Sequence, residues 1–189
     1  IRSWAVAGVR ACALPICTGK GAKNVILLKT AASLEQAGKA EIVVLDKTGT
    51  ITLGEPAVTD MVIDEGVSET ELLKMAFALE NKSEHPLARA VIKKAEEEKI
   101  LAEDVSDFKI LPGNGLTAKI DSHILNGGNL KYIESCVKVS QDMIKIADEL
   151  ANQGKTPLFF ARDDKLLGII AVADIIKEDS PEAVKEMQN

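Results

Sequence analysis

The sequence is poor in cysteine and in aromatic residues, and each shortage excludes a class of function. Cys12, Cys17 and Cys136 are the three cysteines among 189 residues, and no two of them form a Cys-x-x-Cys pair. An odd, sparse set of this kind argues against a disulfide framework and against a zinc knuckle. One tryptophan and one tyrosine provide few stacking platforms, and the formal net charge of -6 provides no basic stripe. We therefore expect no nucleic-acid partner and a reducing, cytosolic setting.

Long hydrophobic runs are also missing. Residues 4–17 are the most apolar stretch, but Arg10 and Pro15 interrupt it, and a membrane-spanning helix needs about 20 apolar residues. A signal peptide is not indicated either, because Arg10 divides the apolar part and no small-residue cleavage site follows. The sequence also lacks an initiator methionine. We interpret residues 1–18 as a remnant, a tag or a wrongly joined segment, and we expect the chain to be a piece of a longer protein.

The apolar content of 46% allows a chain of this length to bury a core, and its pattern predicts two kinds of structure. A helical pattern ends near Gly38. Residues 41–45, Glu-Ile-Val-Val-Leu, form a β-branched run typical of a strand buried on both faces of a parallel sheet. Asp46 follows this predicted strand, at the end where catalytic groups gather in open α/β sheets. The sequence therefore predicts a carboxylate at a functional edge.

A self-contained block of helices and short strands is predicted downstream of this run. Its order, followed by a return of α/β-like sequence near Asp174, indicates one domain inserted into another. The predicted elements are a strand over 58–63, a helix capped by Ser68 and Glu71, a helix starting at Pro86, strands over 108–111, 116–120 and 123–125, a loop over 126–129, a helix over 140–153, a hairpin of strands 158–161 and 166–173, and a last helix opened by Ser180 and Pro181.

The run Asp-Lys-Thr-Gly-Thr-Ile-Thr, from Asp46 to Thr52, combines a carboxylate nucleophile with a lysine that can offset phosphate charge. An isolated Asp-Lys pair is more often a polar junction between a strand and a loop. The whole run, however, resembles the phosphorylation motif of P-type ATPases. The resemblance implies phosphoryl transfer from ATP to Asp46, with Lys47 and Thr48 also in the catalytic set. It also implies a Mg²⁺ ion held by the Asp46 carboxylate and the Thr48 main-chain carbonyl.

A second set of residues follows in the order typical of the metal-transporting branch of that family. The run Ser-Glu-His-Pro contains His85, which the resemblance places against the adenine ring, and Glu80 matches the acidic residue that contacts the adenine edge. Gly113 and Gly115 match the glycines of a Gly-x-Gly segment that lies against the nucleotide. From the residues alone, His85 is more often a helix cap, and the glycines more often a tight hairpin. His123 has no motif around it and is predicted to be a surface strand residue.

The sequence indicates the transported ion, and so the subtype within the metal-transporting branch, less specifically. Residues 21–35 are similar to the segment before the phosphorylation motif in copper-type and zinc/cadmium-type pumps, and we favour copper. Cys12 and Cys17 depart from the expected Cys-Pro-Cys, so we assign them no role toward the transported ion. The alternative is a soluble haloacid dehalogenase-like hydrolase or phosphatase. Such enzymes usually carry Asp-x-Asp, and Thr48 occupies the second position here. A regulatory or metal-chaperone module would need a ligand set that the sequence lacks.

The resemblance implies an α/β fold, in which an α+β nucleotide-binding domain is inserted into a truncated, Rossmannoid phosphorylation domain of haloacid dehalogenase-like type. We predict that residues 19–57 begin the phosphorylation domain, that 58–172 form the nucleotide-binding domain, and that 173–189 resume the first. The Thr-Gly-Asp and Gly-Asp-Gly-x-Asn-Asp segments that complete the family site do not occur. We therefore do not expect this chain alone to turn over ATP.

The same resemblance implies the setting and the partners. We expect the cytoplasmic part of an integral membrane pump, itself soluble, with ATP and Mg²⁺ as ligands. The transmembrane and actuator domains of the pump are the expected protein partners. The transported ion is not expected to bind to this part.

Overall fold

The computed structural model describes residues 39–188. The chain divides into two units between Leu45 and Asp46. Residues 1–18 and the predicted helix that ends near Gly38 lie outside the described residues. In the described part, no helix combines the length and the hydropathy that a membrane crossing requires.

The strand predicted over residues 41–45 is not formed, and that prediction is wrong. These residues have no strand conformation, and the Ile42 and Val44 side chains are 84% and 89% exposed. A parallel strand needs a neighbour running in the same direction to pair its backbone groups and cover its faces. The described residues provide no such neighbour, since every strand pair among them is antiparallel. Asp46 therefore does not follow a strand.

A six-stranded antiparallel sheet forms the frame of the unit that begins at Asp46. Its strand order is β1-β6-β5-β4-β3-β2. The strands are β1 (Thr52–Ile63), β2 (Ser106–Leu111), β3 (Gly115–Ile120), β4 (His123–Gly128), β5 (Thr156–Arg162) and β6 (Lys165–Ile176). The helices are α1 (Glu69–Glu80), α2 (Pro86–Glu97), α3 (Leu130–Cys136), α4 (Gln141–Asn152) and α5 (Ser180–Met187). The mixed α/β class and the predicted helices downstream of residue 58 are confirmed.

The helices begin where local capping chemistry allows. Ser68 Oγ accepts a hydrogen bond from the Glu71 backbone N–H at 3.1 Å, and Pro86 occupies the first position of α2. The predicted capping box at α1 is only half formed, because the Glu71 carboxylate pairs with Arg162 at 2.9 Å instead. One half of the box is enough to define the start of the helix.

Hydrophobic side chains cover both faces of the sheet. Neighbouring residues of a strand point to opposite faces, so Phe160 and Ile170 pack under α1 and α2, whereas Phe159 and Ile169 pack under α3 and α4. Each such side chain contributes about 1.5–3 kcal/mol on burial. The sheet is thus held between two helical layers, which accounts for the continuous apolar run of β6.

Strand β1 lies at an edge of the sheet and is longer than the sequence indicated. Pro56 is tolerated there because an edge strand has one side free of ladder bonds, and the register with β6 shifts between Thr52 and Pro56. Strands β1 and β6 both run across the predicted domain boundaries at residues 57/58 and 172/173. The boundaries themselves stay predictions.

The loop predicted over residues 126–129 is wrong for its first three residues, which complete β4. Gly127 pairs with Leu116 on one side and Phe160 on the other, so two neighbouring strands fix it as a strand residue. A Cβ atom at Gly127 would lie 2.7 Å from Leu79 Cδ2. The glycine therefore marks a close approach of α1 to the sheet rather than a turn.

Helix α3 was not predicted. It has seven residues, which is too short to show a helical period. Its start signal was nevertheless present, since Asn129 Oδ1 accepts a hydrogen bond from the Tyr132 backbone N–H at 2.9 Å. Tyr132 also donates its hydroxyl to Asn126 Oδ1 at 2.8 Å, which fixes α3 on β4.

Candidate functional site

One cleft of about 290 Å³ brings together the four residues that the sequence predicted to bind nucleotide. Glu80 ends α1 and His85 precedes α2. Gly113 lies in the turn between β2 and β3, and Gly115 begins β3. The remaining lining residues are Ser83, Leu87, Ile110, Leu111, Pro112, Asn114, Leu116, Gly127, Gly128, Asn129 and Leu158. Four segments that are separate in sequence, residues 80–87, 110–116, 127–129 and Leu158, thus meet at one concave surface.

Glu80 is the buried acidic group of this cleft. Its residue is 7% exposed. Burial raises the pKa of the Glu80 carboxyl to about 7, because desolvation disfavours the charged form, and a hydrogen bond from the Ser83 side chain acts in the opposite direction. Both protonation states are therefore populated near neutral pH. The ionised carboxylate can accept hydrogen bonds, and the protonated form can donate one.

His85 is both a helix cap and a cleft residue. Its Nδ1 accepts a hydrogen bond from the Leu87 backbone N–H at 3.2 Å, which fixes the ring at the start of α2. When Nδ1 accepts, the proton of the neutral ring is on Nε2. The side chain is exposed to solvent and lines the cleft. The capping role left open by the sequence is therefore present, and it leaves a ring face available to a ligand.

The two predicted glycines play different structural roles. Gly113 adopts a φ of 73°, a left-handed conformation that glycine reaches without strain, and open space surrounds it. A Cβ atom at Gly115 would lie 2.0 Å from the carbonyl oxygen of Gly127, so this position allows β3 and β4 to pack closely. The Asn129 side chain donates to the Gly113 carbonyl at 2.8 Å and holds the turn in place. Bare backbone at Gly113 therefore faces the cleft.

Apolar side chains form the walls of the cleft, and the sequence did not identify them. Leu87, Leu116 and Leu158 are contributed by α2, β3 and β5, and Ile110 on β2 is 60% exposed. An apolar cleft with a few convergent polar groups suits a flat, mostly apolar ligand group that carries hydrogen-bonding edges. No local sequence signal relates these four residues, because only the packing of α2 on the sheet brings them together.

The phosphorylation-like run forms a separate, irregular turn over Lys47–Ile51. Gly49 has a φ of 76°, and its backbone N–H donates to Thr52 Oγ1 at 3.1 Å. Thr52 Oγ1 also lies 2.5 Å from Asp174 Oδ2, and this contact joins the turn to β6. The Thr52 side chain, predicted only as the end of a motif, is thus buried and structural.

Asp46 precedes this turn, with an exposed side chain that is not among the residues lining the cleft. Its carboxylate makes no hydrogen bond or ion pair within residues 39–188. Those residues also contain no group of three or more His, Cys, Asp or Glu side chains that could hold a metal. One free carboxylate and a nearby carbonyl fit Mg²⁺, which keeps several waters and takes few protein ligands.

His123 starts β4 at the surface, as predicted. Its Nδ1 lies 2.6 Å from Asp163 Oδ2, and the Ile124 backbone N–H donates to Asp163 at 2.8 Å. The backbone hydrogen bond from Ile124, followed by the one from His123, lowers the pKa of Asp163. The pair joins the start of β4 to the turn before β6 and does not line the cleft.

A family model described as haloacid dehalogenase-like hydrolase matches residues 40–189. The chain belongs to this family. Within it, the relatives are heavy-metal P-type ATPases. The Copper-exporting P-type ATPase of Legionella pneumophila is 36% identical over 185 residues, which are 94% of this chain and 25% of that protein. A protein of Alkalihalophilus pseudofirmus named Probable cadmium-transporting ATPase is 37% identical over 189 residues, 93% of this chain and 26% of that protein.

Solved structures similar to this chain also come from heavy-metal P-type ATPases. The structure of a zinc-transporting PIB-type ATPase in its E2.Pi state matches this haloacid dehalogenase-like chain with a TM-score of 0.75 and 32% identity, and the match covers 86% of this chain and 26% of that one. The N-domain of a copper-transporting P-type ATPase matches with a TM-score of 0.55 and 27% identity, covering 62% of this chain and 99% of that one. The chain spans about a quarter of the length of the curated relatives it matches. The named ions differ among relatives of similar identity, so similarity alone does not define the ion.

Proposed function

We propose that this chain is the ATP-binding and phosphoryl-accepting part of a heavy-metal P-type ATPase. The observation that supports this most strongly is the convergence of Glu80, His85, Gly113 and Gly115 on one cleft. They come from separate segments of a chain whose curated relatives are pumps of this class. A concave, mostly apolar surface with a few convergent polar groups from separate segments is what a small-molecule binding site requires.

In this proposal the adenine base occupies the apolar part of the cleft. The ionised Glu80 carboxylate accepts a hydrogen bond from the exocyclic amino group of the base, while the His85 ring lies against the face of the base. Burial of Glu80 supports this role, because a hydrogen bond to a charged group is strongest where water is excluded. The exposed backbone at Gly113 lets the nucleotide approach without meeting a side chain.

Asp46 is the proposed phosphoryl acceptor. One of its carboxylate oxygens would form a bond to the γ-phosphorus of ATP as the bond to the ADP oxygen breaks, which gives an aspartyl phosphate and ADP. Lys47 would offset negative charge on the transferred group. Bound Mg²⁺, held by the Asp46 carboxylate and the Thr48 carbonyl, would neutralise phosphate charge. The lack of any other partner for the Asp46 carboxylate within residues 39–188 supports this assignment.

The domain assignment and the setting belong to the same proposal. Residues 58–172 form the nucleotide-binding domain, between residues 19–57 and 173–189 of the phosphorylation domain. The match of a separately solved N-domain over 99% of its length supports such a unit. The pump would place this part in the cytoplasm, joined to transmembrane and actuator domains. Copper is the proposed ion, supported by the copper-exporting relative, and zinc or cadmium is the alternative.

A soluble phosphatase of the same family is less well supported. Such an enzyme uses a second carboxylate two residues after the nucleophile to protonate the leaving group. Thr48 occupies that position, and a hydroxyl cannot serve as that acid at neutral pH. Transfer to Asp46 from a nucleotide fits these residues better.

Titration calorimetry with ATP on three histidine variants tests the nucleotide site. His85→Ala should weaken binding about tenfold or more, because a stacking contact of roughly 1–3 kcal/mol is lost. His85→Asn should weaken binding similarly while keeping the cap of α2, since asparagine is a good N-cap residue. His123→Ala changes the other histidine, outside the cleft, and should bind ATP like the wild type. Equal affinities of the wild type and His85→Asn would contradict the assignment of the ring.

A further inference from the structure

Ser180 is a buried polar residue at the start of α5, and it is 8% exposed. A serine at a helix start usually accepts a hydrogen bond from a backbone N–H of its own first turn. Ser180 does not, and Asp179 occupies the cap position without a side-chain hydrogen bond. The Ser180 hydroxyl instead donates to the Ile51 carbonyl oxygen at 2.8 Å, and Ile51 lies 129 positions earlier in the chain. The hydroxyl therefore joins α5 to the turn that follows Asp46.

The turn over Lys47–Ile51 has no core of its own. None of its residues is buried, and part of its backbone is not helical. Hydrogen bonds at its carboxyl end hold it instead. The Ile51 carbonyl accepts from the Lys177 backbone N–H at 3.0 Å as well as from Ser180, and Lys177 Nζ donates to the Gly49 carbonyl at 3.0 Å. The segment after β6 therefore fixes the path of this turn.

The hydrogen bond from Ser180 is more than backbone pairing requires. One hydrogen bond satisfies a buried carbonyl oxygen, and the Lys177 N–H already provides one to Ile51. If Ser180 only filled space, alanine would do so without the cost of removing a hydroxyl from water. The second hydrogen bond restricts the direction in which the Ile51 carbonyl points. It thereby restricts the path of the chain between Asp46 and β1.

We propose that Ser180 is a positioning residue for phosphoryl transfer, which orients the turn after Asp46 by holding the Ile51 carbonyl against α5. The inference rests on the proposed function of Asp46. Ser180 acts through Ile51 and does not line the nucleotide cleft. An acceptor oxygen must lie in line with the phosphorus–oxygen bond that breaks, and a misplacement of about 1 Å can slow such a reaction roughly 100-fold.

The contact lies apart from the cleft, so its loss should separate ATP binding from phosphoryl transfer. The residues that line the cleft lie between Glu80 and Leu158, and neither the turn nor α5 is among them. Ile51 comes directly before β1, and Ser180 follows β6. We therefore expect loss of the Ser180 hydroxyl to slow phosphorylation of Asp46 and to leave ATP affinity unchanged.

The first part of the test uses the 189-residue chain and does not depend on catalysis. Amide hydrogen exchange is compared in the wild type, Ser180→Ala and Ser180→Thr. Loss of one hydrogen bond in Ser180→Ala should speed exchange roughly 3–10-fold at the Lys177 N–H, which shares the Ile51 carbonyl, and at the Gly49 N–H. Threonine keeps the hydroxyl and should restore the wild-type rates. Should Ser180→Ala fail to fold, Ser180→Cys provides the same comparison, since a thiol is a weak donor of similar size.

The second part measures phosphorylation of Asp46 in the complete pump of which this chain is the proposed part. Radiolabelled ATP, Mg²⁺ and Cu⁺ are supplied, with Zn²⁺ in place of Cu⁺ for the alternative ion. At saturating ATP, Ser180→Ala should form the phosphoenzyme about 10–100-fold more slowly than the wild type, with unchanged ATP affinity. Ser180→Thr should restore the rate.

Ser140→Ala is the matched control. The Ser140 hydroxyl accepts a hydrogen bond from the Met143 backbone N–H at the start of α4, and Ser140 does not line the cleft. The variant loses one hydrogen bond at a helix start, as Ser180→Ala does, but this bond does not reach the turn after Asp46. It should change neither the rate of phosphorylation nor the affinity for ATP.

The two parts separate failure of the inference from failure of the proposed function. If exchange in Ser180→Ala is as slow as in the wild type, the hydroxyl does not hold the turn. If exchange is faster but the phosphoenzyme forms at the wild-type rate, or more slowly only because ATP binds more weakly, the contact is structural. In each of these cases the inference is wrong and the proposed function remains. If the wild-type pump forms no phosphoenzyme with either ion, the proposed role of Asp46 fails and the inference fails with it.

Discussion

At the scale of single residues, Glu80 is a carboxyl group whose burial costs free energy whenever it is ionised. Its pKa in the folded chain, about 7, lies above the usual value of 4.5. The folded state therefore holds this proton more tightly than the unfolded state does. The corresponding stability is fully present below pH 4.5 and is lost as the pH rises through 7. Such a cost at a residue that lines a cleft is typical of a functional group.

Glu80→Gln removes the ionisation and should therefore change how stability depends on pH. The difference in free energy of unfolding between Glu80→Gln and the wild type should grow in favour of the variant from pH 5 to pH 8. The expected growth is on the order of 3 kcal/mol. Urea unfolding at the two pH values measures this. Glu84→Gln, an exposed neighbour, serves as the control. If Glu80→Gln and the wild type differ in free energy of unfolding by the same amount at both pH values, the pKa of Glu80 is not raised in the folded chain.

Single residues were also where the sequence was most informative. The order of Glu80, His85, Gly113 and Gly115 along the chain nominated one site because it resembles the order found in metal-transporting P-type ATPases. Without that resemblance, His85 would have been taken for a helix cap and the two glycines for a tight hairpin, and His85 is in fact also a cap.

At the scale of elements, four of the five helices in the described residues were predicted, because helix signals are local. Ser68 and Pro86 each define a helix start from neighbouring residues alone. Strands depend on partners elsewhere in the chain. The run at 41–45 has the composition of a buried strand, yet the described residues offer no parallel partner for it. Residues 126–128 have the composition of a turn, yet β3 and β5 pair with them on both sides.

The close packing of β3 on β4 predicts unequal effects of two alanine substitutions. Gly115→Ala places a Cβ atom 2.0 Å from the Gly127 carbonyl oxygen, a backbone atom that cannot move without parting the strands. We expect Gly115→Ala to lower the free energy of unfolding by on the order of 3 kcal/mol or more. Gly113→Ala meets no neighbouring atom and should cost only about 1–2 kcal/mol, for its left-handed conformation. Thermal unfolding compares the two, and equal losses would contradict the packing described for β3 and β4.

Asn129 connects two elements, and two variants separate its contacts. It caps α3 through the Tyr132 N–H and holds the β2–β3 turn through the Gly113 carbonyl. Asn129→Ala removes both side-chain contacts. It should lower the free energy of unfolding, measured by thermal unfolding, by about 1–2 kcal/mol. Asn129→Asp keeps the cap but cannot donate to Gly113, so its main effect should be faster amide hydrogen exchange in the turn. If the Asn114 N–H of Asn129→Asp exchanges as slowly as in the wild type, the hydrogen bond from the Asn129 side chain to the Gly113 carbonyl does not hold the turn.

At the scale of the whole molecule, the sheet relates the two parts of the proposed function. The cleft lies among α1, α2 and the β2 side of the sheet, whereas the turn that follows Asp46 is joined to β6 through Thr52 and Asp174. The family resemblance anticipated the fold class and the pump relatives. The apolar walls of the cleft could not be anticipated, because Ile110 and Leu158 become neighbours of the site only when the strands assemble. Sequence therefore identified the polar groups, and the fold supplies their surroundings.

Amide chemical-shift mapping shows whether this cleft binds ATP. Isotope-labelled chain is titrated with ATP, with Mg²⁺ absent so that changes near Asp46 do not obscure those in the cleft. We expect saturable chemical-shift changes concentrated at residues 80–87, 110–116 and 127–129, and we expect His85→Asn to weaken them greatly. Absence of saturable shifts, or shifts concentrated elsewhere on the sheet and unchanged in His85→Asn, would contradict ATP binding in this cleft.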